Sequence, residues 1–194
     1  MNILIDVVPE TVEIDGIEYG INTDFRISIM FELLMQDNSI TDNEKINAAL
    51  NLYYPEMPHD PIQAIENILW FYACGKITET QNAEHTRDTT QQQAIYSFEH
   101  DAEYIYAAFL DQYGIDLQDI EHLHWWKFRA LFKGLKEDNL IVKIMGYRAI
   151  KIDDSMTDSE KRFYRRMKRI YALPDNRTQE EKERDFTDAI ARLF

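Results

Sequence analysis

The first twenty residues show the two-residue period of a β-strand. Ile3, Ile5 and Val7 occupy alternate positions, and residues 12–19 surround Asp15 and Gly16. An Asp-Gly dipeptide favours a two-residue hairpin turn, because both central positions of that turn need a positive φ. We therefore predict a β element over residues 1–20 that contains a hairpin.

From residue 23 the apolar spacing becomes that of amphipathic helices. One stripe at i, i+3, i+4 and i+7 is formed by Ile27, Met30, Phe31 and Leu34. Thr41 and Glu44 have the spacing of a capping box, which predicts the start of a second helix. Asp60 before Pro61 predicts the start of a third helix, and Gly75 lies where its C-terminal cap is expected.

A polar stretch, residues 76–94, divides the helical pattern and predicts a long surface loop or linker. Helices are expected to resume around Phe98, one of them running from about Ile120 to Leu135, and to continue to residue 174. Thr178 with Glu181 predicts a helical extension over residues 175–194. The prediction is a mainly α, multi-helix globular domain over residues 1–174. It has six to eight helices in the ranges 23–75 and 95–174, with a small N-terminal β-hairpin element.

Composition places the chain among soluble globular proteins. It has 194 residues, 45% of them hydrophobic, and a net charge of −14. A single cysteine excludes an internal disulfide framework. No apolar run approaches the roughly 20 residues of a membrane span, and the first nine residues lack the features of a signal peptide. The acidic balance argues against general nucleic-acid or anionic-membrane binding.

The charge is unevenly distributed along the sequence. Residues 1–121 carry 23 acidic and four basic residues, a net of −19, whereas residues 122–194 carry 12 acidic and 17 basic residues, a net of +5. Such an asymmetry indicates either two partners of opposite sign or two parts of one fold that attract each other.

The sequence offers no pattern typical of catalysis, so no enzyme, cofactor or metal is predicted. His122 and His124 are two residues apart, and side chains at that spacing do not face each other on a helix. We interpret them as histidines at a helix start. Cys74 has no base nearby in the sequence and is predicted to be a buried, inert thiol. A nucleophile elbow, a phosphate-binding loop and a dinucleotide fingerprint are all missing from the sequence.

Residues 122–135, with the sequence HLHWWKFRALFKGL, form the densest aromatic segment. On a helix, apolar residues would occupy two sides of this segment, which is typical of a helix between two layers of the core. The alternative is that Trp126 stays accessible beside a basic line of Arg129, Lys133 and Lys136, since Trp and Arg often carry binding energy at interfaces.

Residues 161–169, with the sequence KRFYRRMKR, form a basic patch of six residues: Lys161, Arg162, Arg165, Arg166, Lys168 and Arg169. An apolar face is expected to comprise Phe163, Tyr164, Met167, Ile170 and Tyr171. Three roles remain open for this helix. Its charges face the acidic half or solvent, or they bind an acidic protein surface, or they bind nucleic acid.

Five ordered segments carry a resemblance to a known family. They are GINTDFR at 20–26, DAEYIYAAFLDQYGIDL at 101–117, LHWWKFRALFKGL at 123–135, IMGYRAI at 144–150 and KRIYALP at 168–174. The chain resembles, over residues 1–174, the bacteriophage gene-product-fifteen family. These are small proteins encoded in the tail module of long-tailed phages and prophages of Gram-positive bacteria.

The resemblance implies a tail assembly chaperone in the host bacterial cytoplasm. Its partners would be the tape measure protein, whose hydrophobic helices it shields, and the tail-tube protein that displaces it; self-association is also expected. The resemblance transfers no catalytic residue. Aromatic residues with polar ends suit such binding, and the candidate contacts are Tyr104, Tyr106, Trp125, Trp126, Arg129, Tyr147 and Arg148. The alternatives are a structural tail or head-tail component retained in the virion, and a nucleic-acid-binding regulator that uses residues 161–169.

Overall fold

The computed structural model describes residues 2–76 and 94–174. In these ranges a two-stranded antiparallel hairpin, β1 (Thr11–Ile14) and β2 (Ile17–Gly20), precedes seven helices. The helices are α1 (Phe25–Gln36), α2 (Asp42–Tyr53), α3 (Pro61–Tyr72), α4 (Ala102–Tyr113), α5 (Trp125–Lys133), α6 (Leu140–Ala149) and α7 (Asp158–Ile170). The predicted mainly α fold with a small N-terminal hairpin is confirmed.

The predicted hairpin turn and helix caps are present in the structure at the predicted residues. Asp15 and Gly16 have φ values of 49° and 77° and join the two strands. Thr41 and Glu44 form a complete capping box at the start of α2. The Asp60 side chain accepts hydrogen bonds from two amides of the first turn of α3, and Gly75 has a φ of 69° just beyond that helix.

Two predicted boundaries and one predicted strand are wrong. Residues 3–7 form a turn instead of a strand, because the Asp6 amide donates to the Asn2 carbonyl and no second strand pairs with them among the described residues. The helix expected from Phe98 begins at Ala102, after a turn. The helix expected from about Ile120 begins at Trp125, where the His124 side chain caps it.

Two predicted segments lie outside the described residues. The polar loop predicted for 76–94 is described only at Lys76 and Ala94, and the helical extension over 175–194 is not described at all. Within the described residues, none of the helices has the length and apolarity that a membrane span requires.

The core is centred on α5, whose rings pack against helices from both described ranges. Phe128 stacks on Phe25 of α1 at 4.8 Å and on Phe109 of α4 at 4.9 Å between ring centroids. Stacked aromatic pairs of this kind add to the stabilisation from area burial.

An isolated antiparallel bridge between Asp24 and His124 fixes the starts of α1 and α5 next to each other. The Phe25 amide donates to the Leu123 carbonyl and the Trp125 amide donates to the Thr23 carbonyl, both at 2.8 Å. The segments 20–26 and 123–135, which carry part of the family resemblance, therefore meet in the structure.

Candidate functional site

Both tryptophans among the predicted partner contacts lie in the core. Trp125 and Trp126 are buried, and their indole N–H groups donate to the Tyr72 and Phe71 carbonyls at 2.9 and 2.7 Å. The Trp126 ring also lies so close to Gly75 that a Cβ built there would be 2.9 Å from it. The alternative of an accessible Trp126 is therefore wrong, and the two-sided apolar helix is a core helix. The reason is that the end of α3 covers α5.

Arg148, another predicted partner contact, is a buried clamp. Its guanidinium makes two hydrogen bonds to the Asp101 carboxylate, at 2.6 and 2.9 Å, and both side chains are almost completely buried. It also donates to the carbonyls of Tyr171 and Ile95. All of this geometry is directed inwards and favours a structural role, while the predicted contact of Arg148 with a partner stays a prediction. Its role is to join α6 to the start of α4 and to the end of α7.

The other four candidate contacts are half-buried, and three of them are engaged with side chains of the same chain. The Tyr106 hydroxyl donates to Asp116 at 3.0 Å. The Arg129 guanidinium lies over the Trp125 ring, 5.2 Å from its centroid. Tyr147 contacts two aromatic rings near α7, and Tyr104 packs against the core. These four side chains retain partial exposure, and their predicted role in binding a partner stays a prediction.

The basic patch on α7 divides into an inner and an outer set. Lys161 pairs with Asp154 at 3.2 Å and the Lys168 ammonium donates to the Arg148 carbonyl at 2.7 Å, so both lysines are partly buried. The remaining four basic residues are exposed arginines. No residue of α7 is buried.

The apolar residues of α7 divide in the same way. Tyr164, Met167 and Tyr171 are half-buried, whereas Phe163 is 47% exposed and Ile170 is 54% exposed. We define the outer face of α7 by six exposed residues that follow its first turn: Arg162, Phe163, Arg165, Arg166, Arg169 and Ile170. The sequence predicted the apolar and basic faces but placed Phe163 and Ile170 with the inner residues. The packing of α7 on α6 rotates them outwards.

A shallow apolar groove of about 510 Å³ lies between α1 and α2, and sequence reasoning missed it. We call it the α1–α2 groove, and it is lined by Met30, Leu33, Leu34, Asp37, Ala48, Asn51 and Leu52. The buried face of α1 is formed instead by Phe25, Ser28 and Phe31. A signal was present in the sequence, because six of the seven residues 29–35 are apolar, which is more than one core-facing stripe requires.

His122 and His124, the histidine pair of the sequence, make hydrogen bonds that stabilise the fold. His124 is buried at the start of α5, where its Nδ1 accepts from the Trp126 amide and its Nε2 donates to the Pro9 carbonyl. The bond that Nδ1 accepts requires the neutral ring, because a protonated Nδ1 is a donor, and burial lowers the pKa of His124. His122 bonds to the Thr23 hydroxyl at 3.1 Å. The interpretation of His124 as a histidine at a helix start is confirmed.

Cys74 is half-buried, with a φ of 58°, and burial raises the pKa of its thiol. A raised pKa keeps the sulfur in its less reactive protonated form at neutral pH. In residues 2–76 and 94–174, no group of three or more His, Cys, Asp or Glu side chains gathers as metal ligands would.

A surface chain of hydrogen bonds joins Tyr19, His59 and Asp15. The Tyr19 hydroxyl and His59 Nδ1 are 2.8 Å apart, and His59 Nε2 is 3.2 Å from the Asp15 carboxylate. Gln63 of α3 also donates to Asp15 at 2.7 Å. The three groups have the order of a proton relay, but Asp15 and His59 are exposed, and the bonds connect the hairpin to the start of α3.

One comparison with known proteins covers almost the whole chain. A family model described as "Bacteriophage Gp15 protein" matches residues 4–173. Neither a curated protein nor a solved structure matches the chain significantly.

Proposed function

The chain belongs to the Bacteriophage Gp15 protein family, and from this premise we propose that it is a tail assembly chaperone. In this role it binds and shields the hydrophobic helices of the phage tape measure protein in the host bacterial cytoplasm. It acts by binding alone, without catalysis, and tail-tube subunits later displace it.

The observation that carries the proposal is the α1–α2 groove. It is a shallow apolar surface between two helices, which is the kind of site that accepts the apolar face of a third helix. Met30 is 43% exposed there, and methionine adapts its unbranched side chain to ligands of different shape. A chaperone for a long protein meets many helical segments, so an adaptable surface suits this task.

The openness of the groove also suits release. A site that encloses its ligand buries most of the ligand surface, whereas a helix laid in a shallow groove keeps one side in water. Affinity therefore stays moderate, and a competing subunit can remove the client without unfolding the chaperone. The polar lining residues Asp37 and Asn51 offer hydrogen bonds that orient the bound helix without strong desolvation.

The test is co-expression of this chain with the tape measure protein encoded in the same genome. We expect the tape measure protein to be soluble and to co-purify with the chain, and to aggregate without it. A tape measure protein that is equally soluble alone, or a complex that never forms, would contradict the proposal.

A matched pair of variants ties the test to the groove. Met30→Lys places a charge in the groove, whereas Ile46→Lys places one on α2 outside its lining; both native side chains are 43% exposed. We expect M30K to lose the tape measure protein and I46K to retain it. Mass spectrometry of purified particles addresses the alternative, because stoichiometric retention in the virion would favour a structural tail component.

A further inference from the structure

The outer face of α7 combines apolar and cationic side chains and has no acidic partner in the described part of the chain. Its four arginines make no ion pair with a described carboxylate, whereas the inner Lys161 pairs with Asp154. Phe163 and Ile170 are about half exposed beside these arginines. A helix face with this composition fits a surface that is apolar at its centre and acidic around it.

The α1–α2 groove has this complementary chemistry. Its floor is apolar and Asp37 is part of its lining. In residues 25–72, which contain both groove helices, Asp and Glu outnumber Lys and Arg by seven to two. Asp42 and Glu44, in the first turn of α2, are exposed.

The dimensions of the two surfaces also agree. Phe163 and Ile170 are seven residues apart on one side of α7, which corresponds to about 10 Å along a helix. Met30 of α1 and Asp37, the residue that follows this helix, both line the groove and are also seven residues apart. The apolar pair on α7 therefore has a sequence separation that matches that of two residues lining the groove.

The two surfaces belong to the acidic and the basic parts that the sequence separates. Among the described residues, no ion pair connects α7 with residues 2–76. We propose that they meet between molecules, and that α7 of one copy docks into the α1–α2 groove of a second copy.

This contact joins two different surfaces, so it is heterologous. Each copy that donates α7 still has a free groove, and each copy that donates its groove still has a free α7. The association continues head to tail until it closes into a ring or becomes limited by concentration. Each copy carries a net charge of −14, which opposes association, and the approach of the arginines of one copy to the acidic region of the next offsets this repulsion locally.

Self-association covers the groove to which the proposed function assigns the tape measure protein. The competition between client and second copy rests on that proposed function, whereas the self-association does not. A copy without client would keep its apolar groove covered, and a client helix would replace α7 there.

The first experiment measures the mass of the purified chain alone by light scattering and sedimentation. Over a roughly hundredfold range of concentration, we expect species larger than one chain that increase with concentration. Raising the salt from about 50 mM to about 500 mM should dissociate them, because the Debye length shortens to a few ångströms. A chain that remains monomeric at low salt and high concentration would overturn the proposal.

The second experiment assigns the surfaces with two variants. R162E/R166E reverses the charge of the outer face of α7, and M30K/N51K places positive charges in the groove. All four positions are exposed, and circular dichroism checks that both variants fold. Each variant alone should associate about tenfold or more weakly. The control K143E/K151E changes the net charge by the same amount as R162E/R166E, at exposed positions outside α7. It should associate like the wild type.

Mixing the two variants distinguishes a head-to-tail contact from a symmetric one. R162E/R166E retains an intact groove and M30K/N51K retains an intact α7, so the mixture should form one-to-one dimers that grow no further. If the wild type associates but the mixture of the two variants forms no dimer, the assignment of surfaces is wrong. R162K/R166K, which keeps the charge, should associate like the wild type.

The failures of the two proposals are distinguishable. Self-association is measured without any client, and client binding is measured by co-purification. If the chain self-associates as described but never retains the tape measure protein, the proposed function fails alone. If it binds the tape measure protein through the groove but stays monomeric, the self-association fails alone.

Discussion

The substitution Arg148→Met decides whether this arginine is a structural clamp or a partner contact. In the structure its side chain is 9% exposed and that of Asp101 is 1% exposed. Methionine preserves most of the volume but removes both hydrogen bonds to the carboxylate. Asp101 would then keep only the Ser97 amide as a described hydrogen-bond donor, and its charge would remain buried without a counter-ion.

Removing one partner of a buried ion pair costs about 3–5 kcal/mol, because the remaining charge loses its compensation. The carbonyls of Tyr171 and Ile95 lose a donor as well, which places R148M towards the upper part of that range. For a chain of this size each kcal/mol corresponds to roughly 2–4 °C, so the melting temperature should fall by about 6–20 °C.

Urea denaturation followed by tryptophan fluorescence measures this loss, since Trp125 and Trp126 are both buried in the native state. Lys161→Met is the control: its partner Asp154 is fully exposed, so the unfolding free energy should hardly change. Adding Asp101→Asn to R148M removes the buried charge and should recover part of the loss. A loss in R148M as small as that in K161M, or no recovery in the double variant, would refute the clamp.

Three further predictions concern single positions. Gly75→Ala should lower the unfolding free energy by about 1–3 kcal/mol, because φ is 69° there and a Cβ would contact the Trp126 ring; thermal melts measure it, and an unchanged melting temperature would contradict this. Burial lowers the pKa of His124, so the folded chain takes up that proton less readily than the unfolded chain. Its stabilisation is present above about pH 6.5 and is lost as the pH falls below it. Denaturation between pH 7 and pH 5 should show a steeper decline in the wild type than in His124→Asn, which keeps a capping side chain; equal slopes would be inconsistent with a neutral buried ring. Cys74 should react with iodoacetamide more slowly than free cysteine at pH 8, because burial raises the pKa of its thiol; a faster reaction would show that the thiol is activated.

Features set by neighbouring residues could be predicted from the sequence. The hairpin at Asp15-Gly16 and the capping box of α2 depend on side chains within a few residues, so their chemistry is visible in the sequence. The strand predicted for residues 3–7 failed for the opposite reason. Alternation makes a strand possible, but a strand needs a partner that local sequence does not specify.

Features set by distant contacts could not be predicted. Arg148 and Trp126 are residue types that are common at interfaces. Only the tertiary structure shows that Arg148 pairs with Asp101 and that Trp126 packs against α3. The same holds for α7, where periodicity gives two faces but not the side that packs on α6. The lysine that reaches the Arg148 carbonyl belongs to the polar face of the sequence pattern, yet it points inwards.

The bridge between Asp24 and His124 has a consequence for the order of events during synthesis. The hairpin and α1 to α3 are complete at Gly75, but the rings that cover the end of α3 begin with Trp125, 50 positions later. At about 5–20 residues per second, translation leaves this interval open for roughly 3–10 s. During it Phe25, Phe71 and Tyr72 lack the rings of α5 that they contact in the native core. The nascent chain therefore passes through a stage at which its own aromatic residues need protection.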